Sequence, residues 1–375
     1  MAWSYRRRIK IIPGVHLNFS KNGISTSIGV KGASVTFGKK GTYLNTSVPG
    51  FGISSRQKLS DNSNSETHQR PDVSQIVEPI DNIFSVDVQH ITSQNMQGIK
   101  ESIISAHEQR NELKADQKKI ELSLKLSKIK LVISYILLLS IILKKFVESV
   151  RNEVKAKKDA IEQLKDQIEN CHVKLDVEFD SDIKNKYDNV VNAFKKLIAS
   201  NKVWHVTAEY QQDTRTTRSA ASTAIKRIDV RIGVKSLEDI KSQFDTLWIK
   251  NSHGADIYFY PSFVVMYSTQ KKFALIGFDE LKFNQREVRF VETGTIPQDS
   301  KVIDRTWAKV NKNGSPDKRF KGNYQIPIVK YGEMNLSSET GLNEEFQFSN
   351  YEYSEDFAKS FLAYQKLIKS LKQVS

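Results

Sequence analysis

The sequence predicts a multidomain α+β protein. Short alternating segments separated by glycine-rich turns fill the N-terminal region up to Ser54, which is typical of a small β-meander. No glycine occurs between Gly98 and Gly233 and no proline between Pro79 and Pro261, so helix breakers are missing from the middle of the chain. Strand-period alternation then returns and ends in one amphipathic helix, which predicts a C-terminal antiparallel β-barrel-like domain with a closing helix. We divide the 375 residues into a basic β-meander module (1–56), a flexible linker (57–91), a long coiled-coil-type helix (92–178), an amphipathic helix (179–201) and a β-rich domain with a terminal helix (203–375).

The N-terminal module is predicted to form four short strands. Asn22-Gly23 is a strong hairpin dipeptide, and Leu17 and Phe19 alternate with polar residues in the strand period. A sheet of about 50 residues with so few large apolar side chains is marginal on its own. We therefore expect the module to pack in an oligomer or against another part of the chain.

Most of the excess positive charge belongs to this module. The formal net charge is +14, and residues 1–60 hold ten Lys or Arg and no Asp or Glu. Such a patch attracts nucleic acid, anionic lipid or an acidic protein, although a solvated surface without a partner explains it equally well. The candidate polyanion-binding residues of the module are Arg6, Arg7, Arg8, Lys10, Lys21, Lys31, Lys39 and Lys40.

A series of short motifs runs through the same module. It comprises the basic Arg6 and Arg8, Pro13-Gly14-Val15, Leu17-Asn18, Ser20-Lys21-x-Gly23 and the terminal Pro49-Gly50-x-Gly52. On these motifs, residues 3–54 resemble the bacterial domain-of-unknown-function family 4236. The resemblance implies a bacterial or phage source and a small β domain. The family has no established activity, so the resemblance implies no site residue.

The central region carries a heptad pattern. Apolar residues spaced alternately by three and four form a seam over 147–175, as a coiled coil requires. Because no turn signal interrupts the segment, we favour parallel self-association over an intramolecular helical hairpin. In a coiled coil the residues of the seam form the contact between helices. We therefore assign oligomerisation to Val147, Val150, Val154, Ile161, Leu164 and Ile168.

Upstream of that seam lies the most apolar run of the chain, "LVISYILLLSIIL" from Leu131 to Leu143. As a helix it would cover about 20 Å, whereas a hydrocarbon core needs about 30 Å. A helix that is apolar on every side must be enclosed by lipid or by several helices. We favour the core of a helical bundle and keep a membrane contact at a thinned bilayer or membrane edge as the alternative.

The C-terminal region combines strands with flanking helices. Residues 179–201 show one apolar helix face, for which Ser181 is the expected N-cap, and Phe357, Phe361, Tyr364, Ile368 and Leu371 form a second stripe after Ser354. Several antiparallel strands followed by one helix loosely resemble a pleckstrin-homology-like domain over residues 203–373. That likeness concerns fold and carries no function.

One loop of this domain combines basic and aromatic residues. The segment 304–327 contains the candidate polyanion-binding residues Arg305, Trp307, Lys309, Lys318, Arg319 and Lys321. Cations with interleaved aromatic rings suit phosphate or single-stranded nucleic acid. The alternative is a solvated loop whose aromatic side chains turn into the core.

The sequence offers little catalytic chemistry. It lacks nucleotide-binding, nucleophile-elbow and zinc-protease motifs, and its seven histidines show no metal-ligand spacing. Asp256 with Glu280-Leu281-Lys282 outlines the Asp…Glu-x-Lys pattern of Mg²⁺-dependent nucleases, but this short pattern arises often by chance. We expect no enzyme activity, no cofactor and no bound metal.

We therefore predict a non-enzymatic bacterial assembly or binding protein. It would form a coiled-coil homo-oligomer that displays the basic module and a C-terminal interaction domain. A membrane-associated accessory factor, with a role in phage defence, and an Mg²⁺-dependent nuclease are the alternatives. The single cysteine, Cys171, excludes an internal disulfide framework, and the N-terminus lacks the apolar core of a secretory signal. We accordingly expect a cytoplasmic location, with membrane association as the open alternative.

Overall fold

The structure is a computed structural model that describes residues 14–20, 23–30, 33–38, 41–48, 53–60, 81–82, 85–88, 91–136, 144–211, 221 and 223–374. The helices in these parts are α1 (Gln97–Ile136), α2 (Lys144–Glu169), α3 (Ser181–Ile198) and α4 (Tyr351–Val374). The strands are β1 (Gly14–Ser20), β2 (Gly23–Val30), β3 (Ala33–Gly38), β4 (Gly41–Val48), β5 (Ile53–Ser60), β6 (Asp81–Asn82), β7 (Val173–Phe179), β8 (Val203–Gln211), β9 (Thr223–Asp229), β10 (Ile232–Val234), β11 (Ile240–Ser242), β12 (Leu247–Ile249), β13 (Asp256–Phe259), β14 (Phe263–Thr269), β15 (Lys272–Gly277), β16 (Lys282–Val291), β17 (Lys301–Trp307), β18 (Gln325–Ser337) and β19 (Asn343–Phe348). The chain is therefore mixed α+β, with N-terminal strands, long central helices and C-terminal sheets with a closing helix, as the sequence predicts.

The N-terminal strands join two later strands in a seven-stranded sheet of order β11-β7-β1-β2-β3-β4-β5. β1 to β5 form an antiparallel meander, and β1 also pairs in parallel with β7, from Val15↔Leu175 to Phe19↔Phe179. Val15, Leu17 and Phe19 are fully buried in the main hydrophobic core. The module therefore packs against another part of the same chain, which supplies the apolar partner that its own few large side chains lack.

The predicted linker at 57–91 is wrong at both ends. β5 continues to Ser60 and pairs with β4, so the meander has five strands rather than four. At the other end Ile91 is buried, and the Ser93 backbone N–H donates to the Leu275 carbonyl at 2.9 Å. Residues 61–80, the central part of the predicted linker, lie outside the described residues.

The predicted single long helix over 92–178 is also wrong, because the region contains two helices packed antiparallel, followed by strand β7 (Val173–Phe179) where the helix and its seam were predicted to continue. Leu113 and Ile120 of α1 share a small core with Ile161 and Leu164 of α2. Further along α1, Ser127 contacts Lys157, and Tyr135 contacts Arg151. The helical hairpin that the sequence left as the less favoured alternative is thus observed. Pairing two apolar stripes within one chain costs only the entropy of loop closure. Association of two chains also costs translational and rotational entropy.

A polar network lies inside this helical hairpin. The buried Lys157 ammonium donates to Ser127 Oγ at 2.8 Å and pairs with Glu153, and Ser127 Oγ donates to Glu153 Oε1 at 2.9 Å. The hydrogen bond from Lys157 lowers the pKa of Glu153. A lysine at a heptad core position fixes register, because any slip would leave its charge buried and unpaired.

Arg110 joins the base of the hairpin to the rest of the fold. Its guanidinium donates to Asp239 Oδ1 at 2.7 Å, to the Glu238 carbonyl at 2.7 Å and to the Cys171 carbonyl at 3.0 Å. The Arg110 and Asp239 side chains are 7% and 5% exposed. The buried Arg110 side chain therefore connects α1 with both the chain just after α2 and the segment before β11.

The C-terminal strands form two further sheets. One has five strands in the order β10-β12-β13-β14-β15, and the other follows β16-β18-β19-β8-β6, with β17 also on β18 and β9 also on β8. Among the described strands neither sheet closes on itself, so the predicted barrel is not closed. The reason lies at the outer strands β9 and β16, which are paired on one side only.

Two helices cover the core between these sheets. The rings of Phe194 on α3 and Phe357 on α4 lie 5.2 Å apart, and both predicted apolar stripes are buried. The predicted caps are wrong: Asp180 precedes α3, and α4 begins at Tyr351 rather than after Ser354. Ser354 instead packs on β18 at Gly332, where a Cβ would lie 1.7 Å from Ser354 Oγ, so only glycine permits this close approach.

Candidate binding cleft

The sheet that contains β16, β18, β19, β8 and β9 curves so that its two outer strands approach each other. Arg227 of β9 lies 4.2 Å from the Phe290 ring of β16 and 4.1 Å from the Trp204 ring. The Arg227 guanidinium also pairs with Glu292, which accepts from the Tyr331 hydroxyl at 2.9 Å and from the Gly294 backbone N–H at 2.9 Å. A side-chain bridge thus joins β9 and β16 where no backbone ladder is found among the described strands.

Next to this bridge a cavity of about 1090 Å³ opens between the two outer strands. Its apolar wall is formed by Val288, Phe290, Ile326 and Ile328. Its charged groups are Arg286, Arg289, Lys309, Glu209, Glu287, Glu333 and Glu345. We call this cavity the cleft. Its size and its mixture of apolar wall and few polar groups are typical of a ligand site.

The floor of the cleft is a row of cross-strand neighbours. In the register of the sheet Arg286 faces Glu333, Glu333 faces Gln347, and Gln347 faces Trp204. Arg286 Nε donates to Glu333 Oε1, and Gln347 Nε2 donates to Glu333 Oε2 at 2.9 Å. The Glu333 carboxylate is therefore fully engaged, and this pairing raises the pKa of Arg286.

Glu345 lies beside this row and carries the most informative titration in the cleft. Burial, repulsion from the Glu333 carboxylate and a hydrogen bond to it raise the pKa of Glu345 to about 8, against an opposing effect of Arg286. Glu345 is 7% exposed. Glu345 therefore keeps its proton to a higher pH than an exposed glutamate does. A carboxyl group whose pKa is strongly raised inside a cavity is a physical mark of functional sites.

Replacing Glu345 by glutamine is expected to remove a pH dependence of stability. Between pH ~4.5 and ~8 the unfolded Glu345 has lost its proton while the folded one keeps it. The free energy of unfolding of the wild type therefore falls as pH rises through this window, from a contribution fully present below pH ~4.5. Urea unfolding at several pH values should show a smaller fall in Glu345→Gln. The exposed rim residue Glu287 is the control, and an equal slope in Glu345→Gln and wild type would contradict the assignment.

Sequence reasoning missed Arg286, Glu333 and Glu345. The only available signal was the alternation in "EFQF" of β19, where polar residues occupy one strand face and phenylalanines the other. Such a polar face is normally assigned to solvent. Here it lines the cleft, because curvature of the sheet encloses both faces.

The predicted basic segment 304–327 contributes Ala308, Lys309, Tyr324 and Ile326 to this site. Lys309 and Tyr324 line the cleft, and Tyr324 and Phe320 are 62% and 43% exposed, so neither ring turns into the core. Arg319 is held by the buried Asp317 at 2.9 and 2.6 Å. Arg305, Lys318 and Lys321 are exposed and Trp307 is half-buried. The cations of this segment therefore do not form a single cluster.

The predicted nuclease residues are placed apart. Asp256 begins β13 and binds Lys250, Trp248 and Asn251, whereas Glu280 follows the end of β15, which runs in the same direction. Glu280 accepts from Ser93 Oγ at 2.7 Å, and Lys282 reaches Glu339 at 3.2 Å. Among the described residues no group of three or more His, Cys, Asp or Glu could hold a metal ion.

His205, which the sequence suggested to be structural, lies on the face of the sheet opposite the cleft. Its Nε2 is 2.8 Å from Glu344 Oε2 and its Nδ1 is 2.7 Å from Ser252 Oγ. Glu344 also accepts from Ser85 Oγ at 2.6 Å. The buried network ties the segments around Ser85 and Ser252 to the sheet, and we assign it that structural role.

The remaining predicted residues fall into three groups. Of the apolar run 131–143, residues 137–143 lie outside the described residues, whereas Val132, Ile133 and Ile136 are exposed, so the described part is not enclosed by other helices of this chain as predicted. The eight cations Arg6, Arg7, Arg8, Lys10, Lys21, Lys31, Lys39 and Lys40 lie outside the described residues. The predicted oligomerisation residues Val147, Val150, Val154, Ile161, Leu164 and Ile168 are on the side of α2 that packs on α1 of the same chain. Self-association remains a prediction that would require another surface.

Comparison with known proteins adds one assignment. Residues 3–56 match the model of a family described as "Protein of unknown function (DUF4236)", which confirms the resemblance of the N-terminal module. No curated protein and no solved structure matches the chain. None of the described helices has both the length and the apolarity needed to cross a bilayer.

Proposed function

We propose that this chain is a non-enzymatic assembly or binding protein whose C-terminal cleft takes up an extended segment of a partner protein. The observation that supports this is the cavity between β9 and β16 in an otherwise continuous curved sheet. Outer strands present unpaired backbone donors and acceptors, and an extended peptide can pair with such an edge.

The side chains of the cleft suit a segment with alternating character. In an extended peptide successive side chains point to opposite faces. One set would contact the apolar wall of Val288, Phe290 and Ile326. The other would meet the rim, where Arg289 (3.3 Å from Asp304) and Lys309 lie beside Glu209 and Glu287. We expect the two cations to favour acidic side chains in the bound segment.

A peptide display experiment tests this proposal. A library of random short peptides is selected on the full-length protein, and enriched sequences are expected to alternate acidic with apolar residues. The double variant Arg289→Glu/Lys309→Glu should weaken binding of the enriched peptides at least tenfold, because like charges then face each other at the rim. Affinity is measured by fluorescence anisotropy with labelled peptides.

The matched control is Lys318→Glu/Lys321→Glu, which reverses the same charge on exposed residues of the neighbouring loop outside the cleft. Equal loss in both double variants would indicate a general electrostatic effect rather than a site. Failure to enrich any peptide, or unchanged binding by the cleft variant, would refute the proposal.

The two other functions expected from the sequence, a nuclease and a membrane-associated factor, remain less favoured hypotheses. The nuclease hypothesis finds no support in the separated positions of Asp256 and Glu280. The hypothesis of a membrane-associated accessory factor in phage defence is supported by one feature, the exposed apolar residues of the helical hairpin.

A further inference from the structure

Helix α1 is apolar on two opposite faces. One face packs on α2 through Leu113, Ile120 and Leu124. The other carries an outer stripe, which we define as Leu122, Leu126, Ile129, Ile133 and Ile136. These side chains are between 47% and 73% exposed. At about 100° per residue they fall within an arc of roughly 80°, directly opposite the face that contacts α2.

This stripe is unusual for a protein surface. Five large aliphatic side chains follow one another at spacings of four and three residues, and among the described residues nothing covers them. Val132 and Phe146, at 56% and 50% exposed, extend the apolar surface toward the end of the hairpin. Single exposed apolar residues need no explanation, but a contiguous patch of this kind indicates an interaction surface.

The charges around the outer stripe favour an anionic binding partner. Residues 122–136 and 144–152 contain six Lys or Arg and one acidic residue, Glu148. Lys125, Lys130 and Lys144 are all exposed beside the stripe or at the adjoining start of α2. Symmetric pairing with a second copy would set lysine against lysine. An anionic lipid surface instead complements both the apolar stripe and its basic margin.

We propose that the outer stripe of α1 binds the surface of a bilayer containing anionic lipids, with the aliphatic side chains at the boundary between headgroups and acyl chains and the lysines at the phosphates. This inference goes beyond peptide binding at the cleft and does not depend on it. The buried network of Lys157, Ser127 and Glu153 keeps the opposite face of α1 on α2 during this contact.

Vesicle co-sedimentation with the full-length protein tests the proposal. The wild type is expected to sediment with vesicles of phosphatidylcholine and phosphatidylglycerol and to remain in solution with phosphatidylcholine alone. Leu126→Asp/Ile133→Asp should reduce the sedimented fraction at the same lipid concentration at least tenfold. Lys125→Glu/Lys130→Glu should also reduce the sedimented fraction at least tenfold. Added salt should reduce the sedimented fraction of the wild type, because it screens the attraction to the anionic lipid.

The control is Leu362→Asp, which makes the same type of substitution at an exposed leucine on α4 (41% exposed). It should leave sedimentation unchanged. Circular dichroism confirms that each variant is folded. Absence of binding by the wild type would overturn the proposal. So would full binding by the stripe variant, which would assign lipid contact to another part such as the basic N-terminal module. A lipid-free dimer that Leu126→Asp/Ile133→Asp dissociates would instead show that the stripe binds a second copy.

Discussion

Arg110→Met is expected to lower the free energy of unfolding by about 3–5 kcal/mol, the usual cost of removing one partner from a buried ion pair. The substitution keeps the apolar stem but leaves the Asp239 carboxylate, 5% exposed, without its guanidinium. The carbonyls of Cys171 and Glu238 also lose their donor. Urea unfolding followed by circular dichroism measures the change, and amide exchange of residues 97–113 should show that the base of the hairpin loosens.

Two further variants separate the ion pair from other effects. Lys114→Met, one turn along α1, removes an exposed charge and should change stability by less than about 0.5 kcal/mol. Arg110→Met/Asp239→Asn should recover part of the loss, because a neutral amide is less costly to leave unpaired than a carboxylate. If Arg110→Met were as stable as Lys114→Met, the buried pair would not hold the hairpin to the core.

Phe19→Ala is expected to destabilise the whole chain by about 3–5 kcal/mol rather than the N-terminal module alone. Phe19 is fully buried, its ring lies 4.8 Å from that of Phe179 on β7, and it belongs to the same core as α3 and α4. Removing the ring leaves a cavity in the core to which both the module and the C-terminal sheets belong. Thermal unfolding monitored by tryptophan fluorescence reports on the change, because all tryptophans except Trp3 lie in the C-terminal half.

Asn18→Ala provides the matched control, since Asn18 is the neighbouring residue of β1 and its side chain is exposed. Its effect on the fluorescence transition should be within about 0.5 kcal/mol. An unchanged fluorescence transition in Phe19→Ala would mean that the module unfolds independently, as a tethered domain would.

Local patterns in the sequence were sufficient to predict much of the fold. The hairpin dipeptide Asn22-Gly23, the glycine spacing and the period-two alternation predicted the N-terminal strands, since these signals report backbone turns and faces that depend on near neighbours. The stripes of α3 and α4 were predicted for the same reason. The seam of α2 was also recognised, because a heptad pattern shows which helix face needs an apolar partner.

What the sequence determined by itself is therefore the type of most segments and the faces that must be buried, although β7 and the end of β5 were assigned wrongly. Only the tertiary structure decided what buries them: α1 of the same chain for the seam of α2, and β7 for β1. It also placed Arg286, Glu333 and Glu345 together in the cleft, although they belong to three strands and no local pattern relates them. Partner choice depends on contacts between residues distant in sequence and on the lower entropic cost of intramolecular pairing, neither of which a local pattern records.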